Sequence, residues 1–89
     1  MATIAETLRL SARVIEGQPH LRMSAVTAIR IAAGAGRVAH EHAEETLRAF
    51  AAHLGIDVAD LESWSTSLHK DLITAALREA AEHGTEATR

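Results

Sequence analysis

The sequence predicts an all-α fold, a small five-helix domain that contains a helix-turn-helix-like unit. Apolar residues recur three and four positions apart in every long segment, which is the spacing of one helix face. Capping residues and glycines separate these segments, and no stretch shows the alternation of a strand. With 89 residues, we expect one helical domain over residues 1–84 and a disordered tail over residues 85–89.

The first two helices are marked by their caps. Thr3 and Glu6 have the spacing of a capping box, so the first helix begins after Thr3 and ends at Gly17. A loop containing Pro19 follows. Ser24 caps a second helix rich in alanine and branched residues, which we expect to be the most buried helix.

The helix-turn-helix-like unit lies in the middle of the chain. The third helix is predicted over residues 38–54, and Gly55 stands where a left-handed cap is favoured. Asp57 is placed to cap a short fourth helix that ends near Ser63. Trp64 closes the unit and is interpreted as a core anchor.

The last helix is predicted to begin at one of three hydroxyl residues and to end at Gly84. The possible N-caps are Ser65, Thr66 and Ser67. Its predicted buried face consists of Leu68, Leu72, Ile73, Ala76, Leu77 and Ala80.

Composition indicates a thin core and excludes several kinds of site. Hydrophobic residues make up 47% of the chain, but many are alanines and only 2% of residues are aromatic. The absence of cysteine excludes disulfides and thiolate chemistry. No apolar run is long enough to cross a membrane, and Glu6 interrupts what would be a signal core. We therefore expect a cytoplasmic protein without a membrane partner.

Charge is divided unevenly along the chain, although the net charge is only −3. Through Arg37 there are five arginines and two glutamates, a balance of +3, whereas the remainder carries four basic and ten acidic residues, a balance of −6. Such asymmetry favours association with a charged partner or head-to-tail self-association, and it is equally compatible with ordinary solvated surfaces.

DNA binding is one functional hypothesis, since the central unit has the outline of a helix-turn-helix. The residues that would face the major groove include Asp57, Asp60 and Glu62, with no basic residue among them, and phosphates repel such a helix. DNA contact would instead need the basic residues of the first half of the chain. These are Arg9, Arg13, Arg22, Arg30 and Arg37.

Metal binding and catalysis have little support in the sequence. His40 and Glu44 are four residues apart in a polar cluster, but two ligands do not form a metal site. Ser67, His69 and Asp71 point in different directions on a helix, so they cannot form a catalytic triad. We therefore predict a non-enzymatic protein with no metal, cofactor or small-molecule substrate.

The first hypothesis for function is an interaction module that binds a protein partner or self-associates. Helices with wide alanine stripes leave apolar surface uncovered in a monomer, and a helix–helix interface covers it. The predicted interface combines the first helix with the last and consists of Leu10, Val14, Leu77 and Ala81.

Several segments resemble a family of short helical proteins of unknown function from actinobacteria and their phages. They are LRLSARVI (8–15), SAVTAIRIAAG (24–34), LRAFAAHLGI (47–56), Trp64 and DLITAALREA (71–80). Members tend to have cysteine and glycine where this chain has Ser24 and Thr27, and an asparagine–aspartate pair in place of Ser65 and Thr66. The resemblance implies a helical fold and an actinobacterial or phage origin, and it implies no activity.

Overall fold

The computed structural model describes residues 3–18 and 23–87, with side chains through residue 83, and these residues form an all-α fold. The helices are α1 (Ile4–Glu16), α2 (Ala25–Ala33), α3 (Arg37–Leu54), α4 (Leu61–Thr66) and α5 (Lys70–Ala87), and a 3-10 turn at Val58–Asp60 precedes α4. This confirms the predicted class and the number of helices in the described part of the chain.

Helix α1 begins and packs as the sequence predicts. The Thr3 hydroxyl accepts a hydrogen bond from the Glu6 backbone N–H at 3.1 Å, and the Glu6 carboxylate accepts one from the Thr3 N–H, which completes the capping box. Leu8, Ala12 and Ile15 lie on one helix face and are fully buried. This face packs most extensively against α5 and then against α2.

Helix α2 is capped as predicted but is not the most buried helix. The Ser24 hydroxyl accepts from the Thr27 N–H at 3.2 Å and donates to the Glu62 carboxylate at 3.1 Å, which ties the start of α2 to α4. Three of its nine residues are buried, against five of thirteen in α1, and Ile31 is 52% exposed. Helices α1, α3 and α4 pack against the inner side of this short helix, and its outer side faces solvent.

Helix α3 ends as predicted, whereas the helix-turn-helix-like unit is not confirmed. Gly55 adopts φ +74°, and its N–H bonds back to the Ala52 carbonyl at 3.2 Å. The chain then makes the 3-10 turn, and α4 has only six residues and packs on α2. The Asp57 carboxylate makes no capping bond, so the predicted cap at this position is wrong.

Helix α5 differs from its prediction at both ends and on one face. It begins at Lys70, where the His69 ring accepts from the Asp71 N–H at 3.2 Å, and its backbone continues through Gly84 to Ala87. Leu72 is 57% exposed. The buried stripe of α5 begins one residue later, at Ile73, and neighbouring residues on a helix point in different directions. Of the predicted tail, residues 85–87 are thus helical in backbone, and residues 88–89 lie outside the described residues.

The three predicted N-caps of α5 serve α4 instead. Their hydroxyls donate back to carbonyls of that helix: Ser65 to Leu61 at 2.9 Å, Thr66 to Ser63 at 3.2 Å and Ser67 to Trp64 at 2.9 Å. Serine and threonine hydroxyls commonly make such local bonds to carbonyls three or four residues back. They are therefore not available to begin the next one.

Candidate functional site

A cavity of about 340 Å³ lies where α1, α2 and α3 meet. It exists because the surrounding side chains are short, so the three helices cannot fill the space between them. Most of its lining is apolar, with one hydroxyl and one imidazole. The lining residues are Thr7, Ala32, Ala33, Ala35, Val38, Ala39 and His42.

The polar wall of the cavity is a hydrogen-bonded pair from two helices. Thr7 Oγ1 on α1 lies 2.6 Å from His42 Nε2 on α3, and Thr7 is 1% exposed. The backbone around the pair is also held: Ser11 Oγ donates to the Thr7 carbonyl at 2.7 Å, and Thr46 Oγ1 donates to the His42 carbonyl at 2.8 Å. The pair therefore joins α1 to α3 through residues with little freedom to move.

The corner between α2 and α3 forms the rim of this region. Gly34 and Gly36 have φ values of +95° and +100°, which L side chains rarely adopt, so the sharp corner depends on glycine. Gly36 precedes α3 and supplies no side-chain cap. Val38, in the first turn of α3, is 58% exposed at the mouth of the cavity.

A second depression of about 240 Å³ lies at this corner and is lined in part by Arg30 and His40. Arg30 bonds Glu44 at 3.1 Å, and His40 Nε2 lies 3.9 Å from the same carboxylate. The predicted His40–Glu44 pair is thus close, but Glu44 is already engaged by Arg30. Within the described part of the chain, no group of three or more histidines and carboxylates is arranged to hold a metal ion.

The structure separates the four residues of the predicted protein interface. Leu77 and Ala81 have no exposed surface and belong to the core, because α5 packs its inner face on α1. Leu10 is 44% exposed and Val14 is partly buried. Of the four predicted interface residues, only Leu10 and Val14 on α1 have surface that a partner could contact.

The five predicted DNA-contacting arginines also have different environments. Arg9 and Arg13 are exposed on α1, and Arg37 is exposed as the first residue of α3. Arg30 is held by Glu44. Arg22 lies outside the described residues.

The serine, histidine and aspartate near the start of α5 do not form a triad. Ser67 donates to the carbonyl of Trp64, which directs its hydroxyl to α4. His69 Nδ1 accepts from the Asp71 backbone and lies 3.6 Å from the Asp71 carboxylate. The Ser67 and His69 side chains thus make their hydrogen bonds at helix ends and not with each other.

Two imidazoles that are 30 residues apart in the sequence meet in the structure. His53 of α3 and His83 of α5 are stacked with ring centroids 5.6 Å apart, and His53 Nε2 lies 3.8 Å from the Glu79 carboxylate. His20 lies outside the described residues.

Sequence reasoning missed the Thr7–His42 pair. Thr7 and Ser11 stand four residues apart, next to the apolar stripe of α1, and both are buried. Two hydroxyls one turn apart beside a buried face indicate a polar contact inside the fold, since buried polar groups require partners. The identity of that partner is a tertiary property, because 35 residues separate Thr7 from His42.

Comparisons with known proteins leave the chain without an assigned family. Among the described residues, no helix combines the length and apolarity needed to cross a bilayer. The resemblance to actinobacterial and phage proteins stays a prediction. No protein-family model, curated protein or solved structure matches the chain.

Proposed function

We propose that this protein is a small, non-enzymatic helical module that binds another protein, or a second copy of itself, through the outer face of α1. The observation that carries the proposal is the exposure of Leu10, 44% of which is in solvent. Val14 lies one turn further on the same side of the helix and is only partly buried. Together they form an apolar ridge, which we call the α1 ridge.

Charge beside the α1 ridge indicates what it binds. Arg9 and Arg13 are exposed on the same helix and have no ion-pair partner among the described residues. An apolar ridge beside two cations suits a partner helix with apolar side chains and an acidic border. Residues 38–89 carry a charge balance of −6, so a second copy of this chain has acidic residues that could meet these cations.

The energetic scale of such an interface is modest. Burying one leucine side chain contributes roughly 1.5–3 kcal/mol, and ordering the two surfaces offsets part of that gain. A few such contacts give weak, reversible association. Self-association therefore becomes visible only at high protein concentration.

Sedimentation equilibrium over a wide concentration range tests the self-association form of the proposal. We expect the average mass to rise above that of one chain as concentration increases, and to fall back to one chain in Leu10→Gln. Leu72→Gln is the matched control, because Leu72 is also an exposed leucine, 57% in solvent, but lies on α5. Equal association in Leu10→Gln and the wild type would contradict a role for the α1 ridge.

Binding to a different protein is tested by photocrosslinking. A photoreactive amino acid at position 10 should give a specific adduct in cell extract that the same group at position 72 does not give. A single-chain mass at every concentration, together with identical adducts from positions 10 and 72, would remove the interaction proposal.

DNA binding is the second candidate, and one observation favours it. Arg9 and Arg13 are exposed one turn apart on α1, the arrangement in which two cations can contact neighbouring phosphates. The acidic residues of the 3-10 turn and α4 oppose it, since Asp60 and Glu62 are exposed where a recognition helix would need basic groups.

Fluorescence anisotropy of a labelled random duplex separates the two candidates. DNA binding through Arg9 and Arg13 would weaken roughly tenfold between about 50 and 200 mM salt, as expected for two phosphate contacts, and disappear in Arg9→Glu/Arg13→Glu. Because we favour the protein-interaction proposal, we expect the labelled duplex to remain unbound at the higher salt concentration. Leu10→Gln would leave DNA binding unchanged while removing protein association.

A further inference from the structure

The 3-10 turn before α4 carries an acidic surface with an apolar centre. Asp57 and Asp60 are exposed, and between them Val58 keeps 38% of its surface in solvent. Residues 49–69 contain no lysine or arginine, so no cation close in sequence neutralises the two carboxylates. We call residues 57–60 the acidic turn.

Neither aspartate of the acidic turn is engaged inside the fold. Asp57 stands at the N-cap position of the 3-10 turn, yet its carboxylate makes no capping bond. In the part of the chain that the structure describes, the Asp57 and Asp60 side chains take part in no hydrogen bond or ion pair. Glu62, the next acidic residue, is held by the Ser24 hydroxyl instead. The two aspartates are therefore available to cations of another molecule.

The charges on α1 show the opposite arrangement, with the acidic side chains occupied and the basic ones not. Glu6 completes the capping box, and Glu16 bonds Arg78. Arg9 and Arg13 have no ion-pair partner among the described residues. Like charges one helical turn apart repel each other mildly, so carboxylates from another molecule would relieve this repulsion.

The arginine pair and the aspartate pair have matching spacings. Arg9 and Arg13 are four residues apart on an α-helix, which separates them by roughly 6 Å along the axis. Asp57 and Asp60 are three residues apart around a 3-10 turn, whose rise of about 2.0 Å per residue gives a similar separation. Each pair also has apolar surface beside it, which is the α1 ridge in one case and Val58 in the other.

We propose that the α1 ridge of one copy of this chain binds the acidic turn of a second copy. The two arginines face the two aspartates, and Leu10 lies against Val58. This contact rests on the self-association form of the proposed function and names the surface that the ridge recognises. It joins two different surfaces, so it is heterologous, and a pair of copies keeps one ridge and one acidic turn unused.

Complementation between two variants tests this pairing by sedimentation equilibrium. Leu10→Gln damages the ridge and keeps the acidic turn, whereas Asp57→Asn/Asp60→Asn does the reverse and preserves a good N-cap residue. Each variant alone should self-associate about tenfold more weakly than the wild type at low salt. An equimolar mixture should recover the association but stop at two chains, because each variant contributes only one intact surface.

Glu41→Gln/Glu45→Gln is the matched control. It also neutralises two exposed carboxylates one turn apart, which lie on α3 and have no ion-pair partner among the described residues. This variant should associate like the wild type. Circular dichroism of every variant shows whether it is folded.

Crosslinking of the purified protein locates the contact directly. A photoreactive amino acid at position 10 of one copy should form an adduct with an isotope-labelled second copy. We expect the adduct in the fragment spanning residues 49–70, which trypsin releases by cutting after Arg48 and Lys70 and which contains the acidic turn. An adduct confined to other fragments would overturn the pairing.

The outcomes separate this inference from the proposed function. Loss of association in Leu10→Gln, with full association in the folded asparagine variant, would overturn the acidic turn as the partner surface and leave the ridge in place. A mixture that stays as single chains would also overturn the pairing. A wild type that remains a single chain at every concentration would remove self-association altogether, and crosslinking from position 10 in cell extract would then decide the proposed function.

Discussion

At the scale of single residues, the aromatic pair Phe50–Trp64 adds the largest rings to an apolar core otherwise built from leucine, isoleucine and alanine side chains. Phe50 is fully buried, and its ring meets the edge of Trp64 with centroids 5.5 Å apart and planes at 80°. A T-shaped pair of rings stabilises the fold beyond the effect of the area that the rings bury. Trp64 is only partly buried and packs against the core, so it lies at the edge of the core and not inside it as a core anchor would.

Phe50→Ala should therefore reduce the free energy of unfolding by roughly 3–5 kcal/mol, the range for removing a buried aromatic ring. Urea denaturation followed by Trp64 fluorescence measures it, since Trp64 is the only tryptophan. If the alanine variant does not fold, Phe50→Leu provides a milder test with a smaller loss. A loss below about 1 kcal/mol for alanine would mean that the core repacks around the site.

At the scale of secondary-structure elements, the helix ends are controlled by short-range chemistry. The Thr3 box, the Ser24 cap and Gly55 act within a few residues of their own positions. Ser24 has a further role, because its hydroxyl also reaches Glu62 on α4. A cap that joins two elements couples the start of one helix to the position of another.

Gly55→Ala should reduce stability by about 1 kcal/mol, because alanine pays a backbone cost in the left-handed region. The backbone conformation is the reason rather than crowding, since a Cβ at Gly55 would meet nothing within 4 Å. Gly55→Asn is the matched control and should lose less, because asparagine tolerates this conformation. Chemical denaturation compares the three proteins. Equal losses for alanine and asparagine would contradict this explanation.

At the scale of the whole molecule, packing rather than ion pairing holds the helices together. The long-range ion pairs Arg30–Glu44 and Arg78–Glu16 join α2 to α3 and α5 to α1, but their side chains are about one-third to one-half exposed. Water and salt screen such pairs. The buried alanine and leucine faces of α1 and α5 instead form the most extensive helix contact.

Glu44→Gln and Glu16→Gln should each change the free energy of unfolding by less than about 0.5 kcal/mol, after allowing for solvent screening. Urea denaturation of both variants at low and at moderate sodium chloride concentration is the measurement. Leu8→Ala is the contrasting control, because Leu8 is 1% exposed and its truncation should cost roughly 2–5 kcal/mol. Losses of comparable size for the glutamine variants would show that the ion pairs organise the fold.

The sequence by itself determined the helical class and most helix ends. Thr3, Ser24 and Gly55 could be interpreted correctly because capping bonds and left-handed backbone are local. The stripes of α1 and α3 were also predictable, since a helix repeats every 3.6 residues whatever it packs against. The start of α5 was not, because the sequence offers three hydroxyl residues as its cap and all three bond back to α4 in the structure.

Only the tertiary structure decided which apolar residues face a neighbouring helix and which face solvent. Leu77 and Ala81 belong to the core because α5 packs on α1, while Leu10 and Leu72 stay exposed. The cavity and its Thr7–His42 pair likewise require three helices to converge. Periodicity shows that a face is apolar but contains no information about what covers it, because that depends on contacts between residues far apart in the chain.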